Sequence, residues 1–130
     1  MAPDFVLTAR FSAPPDRIYA AWIDGDGHAA MTGAPAASDA TEGGRFSAWE
    51  GYISGEYLTL QPGRRITMFW RTTAFADDDC DAHVDISLAS DGDGTLLTLT
   101  QSDTPPEQVQ DYLGGWERFY FAPMRAHFGG

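Results

Sequence analysis

Side chains that could exchange a proton near neutrality are few in this chain: His28, His83, His127 and Cys80. An acid–base mechanism needs such groups paired and held against a substrate. On the two-residue alternation of a strand, His83 and Asp85 point away from the side that carries Val84 and Ile86. His127 falls in the last turn of a C-terminal helix, where a cation meets the helix dipole favourably. His28 lies on a short helix and can approach the mouth of an interior space. None of the three has an orienting partner legible in sequence, and a nucleophile–base–acid set is recognised by geometry rather than by spacing. Cys80 sits in the run Asp77-Asp78-Asp79-Cys80-Asp81, whose charge opposes a thiolate, so no catalytic thiol is expected.

The same acidic run lacks the glycine and terminal glutamate of a calcium loop and reads as a solvated loop. Asp91-Gly92-Asp93-Gly94 reads as a hairpin turn. All eight basic residues are arginines, which removes lysine Schiff-base chemistry and the lysine of a phosphate-binding loop. No cofactor and no metal are expected. The formal net charge of −11 disfavours nucleic acid and anionic membrane surfaces, since either calls for clustered positive charge.

What the chain has in excess is aromatic surface. Trp22, Met31, Trp49, Tyr52, Trp70, Phe75, Trp116 and Tyr120 are the candidate ligand-binding residues. Large aromatic rings bury about 150–250 Å² each and make good walls for an apolar ligand. The same side chains could equally fill a solid core with no space between them. Tyr52 and Tyr120 carry hydroxyls that need partners when buried, which makes them the candidate polar contacts.

These residues must be positioned by elements whose pattern is readable. Phe5, Leu7, Ala9 and Phe11 alternate on a first strand. Ser12-Ala13-Pro14-Pro15-Asp16 starts a short helix through Trp22, with proline in the first turn. Asp24 caps a second short helix to about Met31. Residues 32–44 read as loop. Strand character runs over 46–49, 51–60, 65–72 and 82–88, and then returns with Leu97 and Leu99 facing inward. Thr104-Pro105-Pro106-Glu107 has the form of a capping box. It precedes a helix of about 20–24 residues, with Val109, Tyr112, Leu113, Trp116, Phe119, Tyr120, Pro123 and Met124 as its aromatic stripe. Gly114-Gly115 and Pro123 break helix propensity inside it. The expectation is that the glycines let the helix backbone approach the sheet and that the proline kinks it.

At 130 residues with 43% hydrophobic composition, one domain spanning 1–130 is expected. No apolar run approaches the roughly 20 residues of a membrane span. The N-terminus lacks a basic segment followed by an apolar one, so no secretory leader is expected. A single cysteine permits no internal disulfide. A cytoplasmic location follows.

The order of elements resembles the START-like helix-grip fold, also called SRPBCC. Gly43-Gly44-Arg45-Phe46, Gly51-Tyr52-Ile53-Ser54-Gly55-Glu56, Leu60-Gln61-Pro62, Ile66 and Trp70-Arg71 are similar to the activator-of-heat-shock-protein-90-ATPase homologue family, in its C-terminal-type domain. Thr95, Pro105-Pro106, Gly115-Trp116, Tyr120 and Phe128-Gly129 extend the likeness collinearly along nearly the whole chain. The resemblance implies an α+β fold in which a curved antiparallel sheet of about six strands wraps a long C-terminal helix, with two short helices after the first strand. It implies a cavity between that helix and the sheet, and a link to the stress response. Three functions stand as expectations: binding of a small, hydrophobic molecule, regulation of a chaperone through a protein–protein contact, and cyclase-like catalysis in the same cavity. A monomer or homodimer is expected.

Overall fold

The computed structural model describes residues 3–129. The chain runs β1 (Phe5–Phe11), α1 (Pro15–Ile23), α2 (Gly25–Thr32), β2 (Ala36–Ser38), β3 (Arg45–Ala48), β4 (Ile53–Gln61), β5 (Arg65–Thr72), β6 (Ala82–Asp91) and β7 (Gly94–Ser102). A 3₁₀ turn (Pro106–Gln108) then leads into α3 (Val109–Trp116), a π-helical segment (Glu117–Phe121) and α4 (Ala122–Phe128).

All seven strands form one antiparallel sheet in the order β1-β7-β6-β5-β4-β3-β2. The register stacks apolar residues row upon row: Leu7 opposite Leu99, Leu99 opposite Ile86, and Ile86 opposite Ile66. A one-residue slip would turn every one of these to the other face, so burial pins the register. The two-residue hairpin at Gly92-Asp93 pairs Asp91 with Gly94, and Gly92 supplies the positive φ of 61° it needs. Opposite Trp70 stands Gly55, where a Cβ would run into the Phe69 carbonyl and the Phe46 ring.

The two short helices form as their sequences dictate. Pro15 opens α1 at its first turn. Asp24 caps α2 by accepting from the Gly27 amide at 2.8 Å, and Gly33, left-handed at φ 84°, closes it. Ile18 and Trp22 are buried in the core together with Phe11, Phe121, Met124 and the inward faces of β5, β6 and β7.

Three expectations need correction. The sheet has a seventh strand, β2, inside the segment read as loop; it pairs Ala36–Ser38 with β3, and the Ser38 hydroxyl bonds both the Ile23 carbonyl and the Tyr57 hydroxyl. The Thr104 side chain does not cap the C-terminal helix; it accepts from Gln101 Nε2 at 2.9 Å, while Pro105 and Pro106 shape the 3₁₀ entry. Gly114 and Gly115 do not approach the sheet: a Cβ on Gly114 would meet nothing within 4 Å, and one on Gly115 only Phe119 Cδ2 at 3.9 Å. Pro123 is accommodated by the π segment just before it, where the Ala122 amide reaches back to the Glu117 carbonyl.

Candidate functional site

A cavity of about 340 Å³ lies between the first half of the C-terminal helix and the β3–β4 end of the sheet. Trp49 and Tyr52 come from the β3–β4 turn, Ile53 and Trp70 from β4 and β5, and Asp111, Tyr112, Gly115, Trp116, Phe119 and Tyr120 from the helix. Seven of these ten are aromatic. Trp70 packs edge-on to Tyr112 at 5.0 Å and lies 5.5 Å from Trp116, which in turn is 4.8 Å from Tyr120. Tyr52 and Phe119 form the rim, 43% and 42% exposed.

The walls are held by hydrogen bonds that sequence spacing does not reveal. Gln101, fully buried on β7, accepts from Trp116 Nε1 at 2.8 Å and donates to Thr104, which fixes the indole. The Tyr112 hydroxyl donates to Gln108 and receives the Thr72 hydroxyl at 2.6 Å. Thr72 in turn accepts the Ala74 amide, and Gln108 Nε2 returns to the Ala74 carbonyl, closing a ring of bonds. Burial pushes the Tyr112 phenol up to about 12, against the Thr72 bond that lowers it.

At the inner end Tyr120 meets His28. The ring nitrogen His28 Nδ1 is 3.0 Å from the Trp22 carbonyl. A carbonyl can only accept, so Nδ1 carries the proton and Nε2 accepts from the Tyr120 hydroxyl at 2.8 Å. Burial holds His28 below the usual imidazole value, opposed by its bond to the Trp22 carbonyl. Complete burial likewise raises Tyr120 above the ordinary phenol range. His28 therefore has the orienting partners that were not legible in sequence, and it lies behind Tyr120 instead of at the mouth.

The β3–β4 turn is unusual. Trp49 and Glu50 both take left-handed backbone, φ 53° and 59°, before Gly51 at 87°. Such conformations cost about 1–3 kcal/mol each outside glycine. Trp49 Nε1 is also buried without a hydrogen-bond partner among the described residues, and its ring packs edge-on against the exposed Phe119 at 5.2 Å.

Of the eight residues singled out by sequence, Trp49, Tyr52, Trp70, Trp116 and Tyr120 come together around the cavity. Trp22 packs behind it, stacked on Tyr120 at 5.1 Å. Met31 is buried in the core, and Phe75 lies against Trp70 and Tyr112; none of these three is a lining residue. Sequence reasoning missed Ile53, Asp111, Tyr112, Gly115 and Phe119 as lining residues. Tyr112 and Phe119 stood on the helical stripe and could have been found there. The clue to Gln101 was an amide at an inward position in the series Thr95, Leu97, Leu99.

The acidic run Asp77–Asp81 is partly tied down: Arg71 bonds Asp81 at 2.7 Å, and Asp79 accepts the Ala76 amide. Among the described residues no group of three or more His, Cys, Asp or Glu side chains could hold a metal, and no helix is long and apolar enough to cross a membrane.

A curved sheet gripping a terminal helix, with two short helices after the first strand, defines a START-like helix-grip protein. The chain belongs to the family described as activator of Hsp90 ATPase homolog 1-like protein, whose model matches residues 12–129. It is 28% identical over 123 residues to the human activator of 90 kDa heat shock protein ATPase homolog 1, covering 95% of this chain and 36% of that protein. The chain thus spans about a third of the length of that relative. Among solved structures, an HSP90 activator from Plasmodium falciparum superposes with a TM-score of 0.86 at 22% identity, covering 96% of this chain and 95% of that one. CalU16 from Micromonospora echinospora gives 0.77 at 28% identity, with 96% and 74% covered. An Aha1 dimer from Colwellia psychrerythraea gives 0.74 at 16%, with 96% and 98% covered.

Proposed function

We propose that this protein binds a small, largely apolar molecule in the space between α3, the π segment and the β3–β5 end of the sheet, and that it does so in the cytoplasm. The observation that carries this reading is the aromatic wall itself: about 340 Å³ lined by rings from both facing layers, within the size range of ligand pockets. Trp116 and Tyr112 are each immobilised by buried hydrogen bonds, so the walls are pre-organised, which lowers the cost of binding. A single exposed cysteine, Cys80, is compatible with a reducing compartment. The test is native mass spectrometry together with thermal shift against a panel of hydrophobic metabolites. Retained ligand and a raised Tm are expected; uniform failure across the panel would remove the reading.

A second reading is regulation of a chaperone ATPase through a protein–protein contact, and it is supported by the 28% identity to the human activator. It predicts that the purified chain changes the ATPase rate of its host's 90-kDa heat-shock protein, and an unaltered rate at saturating chain would remove it. Cyclase-like chemistry has less to work with. Asp111 is the one carboxylate among the lining residues, and the Tyr112 and Tyr120 hydroxyls are already bonded.

A further inference from the structure

We infer that the cavity is selective for an organic cation, specifically an ammonium whose nitrogen is fully alkylated. The inference rests on the ligand-binding reading above and narrows it to a chemical class.

Three properties of the lining lead there. The first is the ring content: three tryptophans, three tyrosines and a phenylalanine among ten residues. Their planes are mutually inclined, 88° between Trp70 and Tyr112 and 49° between Trp116 and Tyr120. Rings inclined in this way can turn faces toward one volume from more than one side, and Tyr52 and Phe119 are the most accessible of them. A ring face carries negative potential and attracts a cation held within about 6 Å of its centre, more strongly where water is excluded.

The second is charge. The only charged lining residue is Asp111, on the first turn of α3. It is exposed, and none of the salt bridges among the described residues involves it. No arginine or histidine is among the lining residues. With −11 on the whole chain, the field entering a low-dielectric pocket favours a cation. A cation already rests on one ring of the rim: the Arg118 guanidinium lies 5.3 Å from the Phe119 centroid.

The third is the shortage of free acceptors deeper than the exposed Asp111 carboxylate and the Tyr52 hydroxyl, and it decides which cation. A primary ammonium brings three N–H donors, each needing a partner once it leaves water. The Tyr112 hydroxyl is engaged by Gln108 and Thr72, and that of Tyr120 by His28. A nitrogen covered by methyl groups makes no such demand. Its alkyl shell matches the apolar walls, and its charge is met by ring faces and the Asp111 carboxylate.

The test compares benzyltrimethylammonium with neopentylbenzene, the neutral compound in which carbon replaces the nitrogen. Binding of each is followed by tryptophan fluorescence and by thermal shift. The cation is expected to bind roughly tenfold or more tightly than its neutral twin. In Asp111→Asn the cation's advantage is expected to shrink several-fold while neopentylbenzene binding is unchanged; circular dichroism confirms that this surface variant folds. If the neutral compound binds as well as the cation, cation selectivity is overturned while the apolar cavity survives. If an undiminished preference persists in Asp111→Asn, the role given to Asp111 is overturned. If neither probe binds while the protein remains folded, this inference falls, and the metabolite panel decides separately whether the cavity reading falls with it.

Discussion

The C-terminal helix meets the sheet in two different ways along its length. Its second half, Phe121 through Phe128, packs onto β1 and α2 as solid core. Phe11 has no exposed surface, and its ring sits 6.2 Å from Phe121 and 6.5 Å from Phe128. Met124 and Ile18 are equally buried in the same core. The first half, over the β3–β5 end, carries tryptophans and tyrosines whose polar atoms are bonded to Gln101, Thr72 and His28, and these line open volume. Phenylalanine and methionine have no polar atoms to place and can be pressed together from all sides. The difference teaches that one end of this interface supplies the stability that lets the other remain hollow.

The largest expected effect lies at the closed end. Phe11→Ala should lower unfolding stability by about 3–5 kcal/mol, as for other buried aromatic truncations. Trp49→Ala at the open end should cost far less, because the side chain removed is only half-buried and leaves its indole nitrogen unpaired. Urea denaturation of the two variants checks this, and equal losses would erase the distinction between the two ends.

A smaller effect belongs to His28, at the seam between them. Its folded value lies below the ordinary 6.5, so below that pH the unfolded chain binds a proton that the folded chain does not. Its contribution is therefore fully present above about 6.5 and is lost as pH falls toward the folded value. The slope cannot exceed about 1.4 kcal/mol per pH unit for one proton. Melting curves from pH 7.5 to 5 should show wild type losing this increment relative to His28→Gln; parallel pH profiles would refute it.

The smallest is a gain. Gly114→Ala should stabilise by about 0.5–1 kcal/mol, since a helical alanine is favoured and its Cβ enters open space. The matching change at Gly27, where a Cβ would stand 2.9 Å from Ala21 Cα, should destabilise instead. Thermal melts of both variants separate the cases, and a loss at Gly114 would mean that the helix there is more closely packed than described.

How much could be read from sequence follows the range of the interactions. Strands such as Phe5–Phe11 and Arg65–Thr72 were legible because alternation is written into neighbouring residues. The helix was legible through its aromatic stripe, and Asp24 through its cap. The strand β2 was not, because Ala36, Ala37 and Ser38 carry no alternating pattern and are recruited by β3. Thr104 misled because its capping-box spacing is local, whereas the acceptance from Gln101 that occupies its hydroxyl depends on how the end of β7 is placed. His28 and Tyr120 are 92 positions apart, and no spacing rule spans that distance. Five of the eight aromatic and methionine candidates gather at one cavity, yet Trp22 and Phe75 have the same chemistry and are sorted from them only by which helix or loop carries them.

The π segment sets a phase for everything after it. Tyr112, Trp116, Tyr120, Met124 and Phe128 recur every four residues, and all are buried. In an unbroken α-helix such a row would drift about 40° around the axis at each step, carrying Met124 and Phe128 away from Phe11. The wider turn at Glu117–Phe121 takes up that drift. Deleting one residue there to restore ordinary helix would swing the remaining turns by about 100°, so the length of this segment is fixed by the alignment of the row it carries.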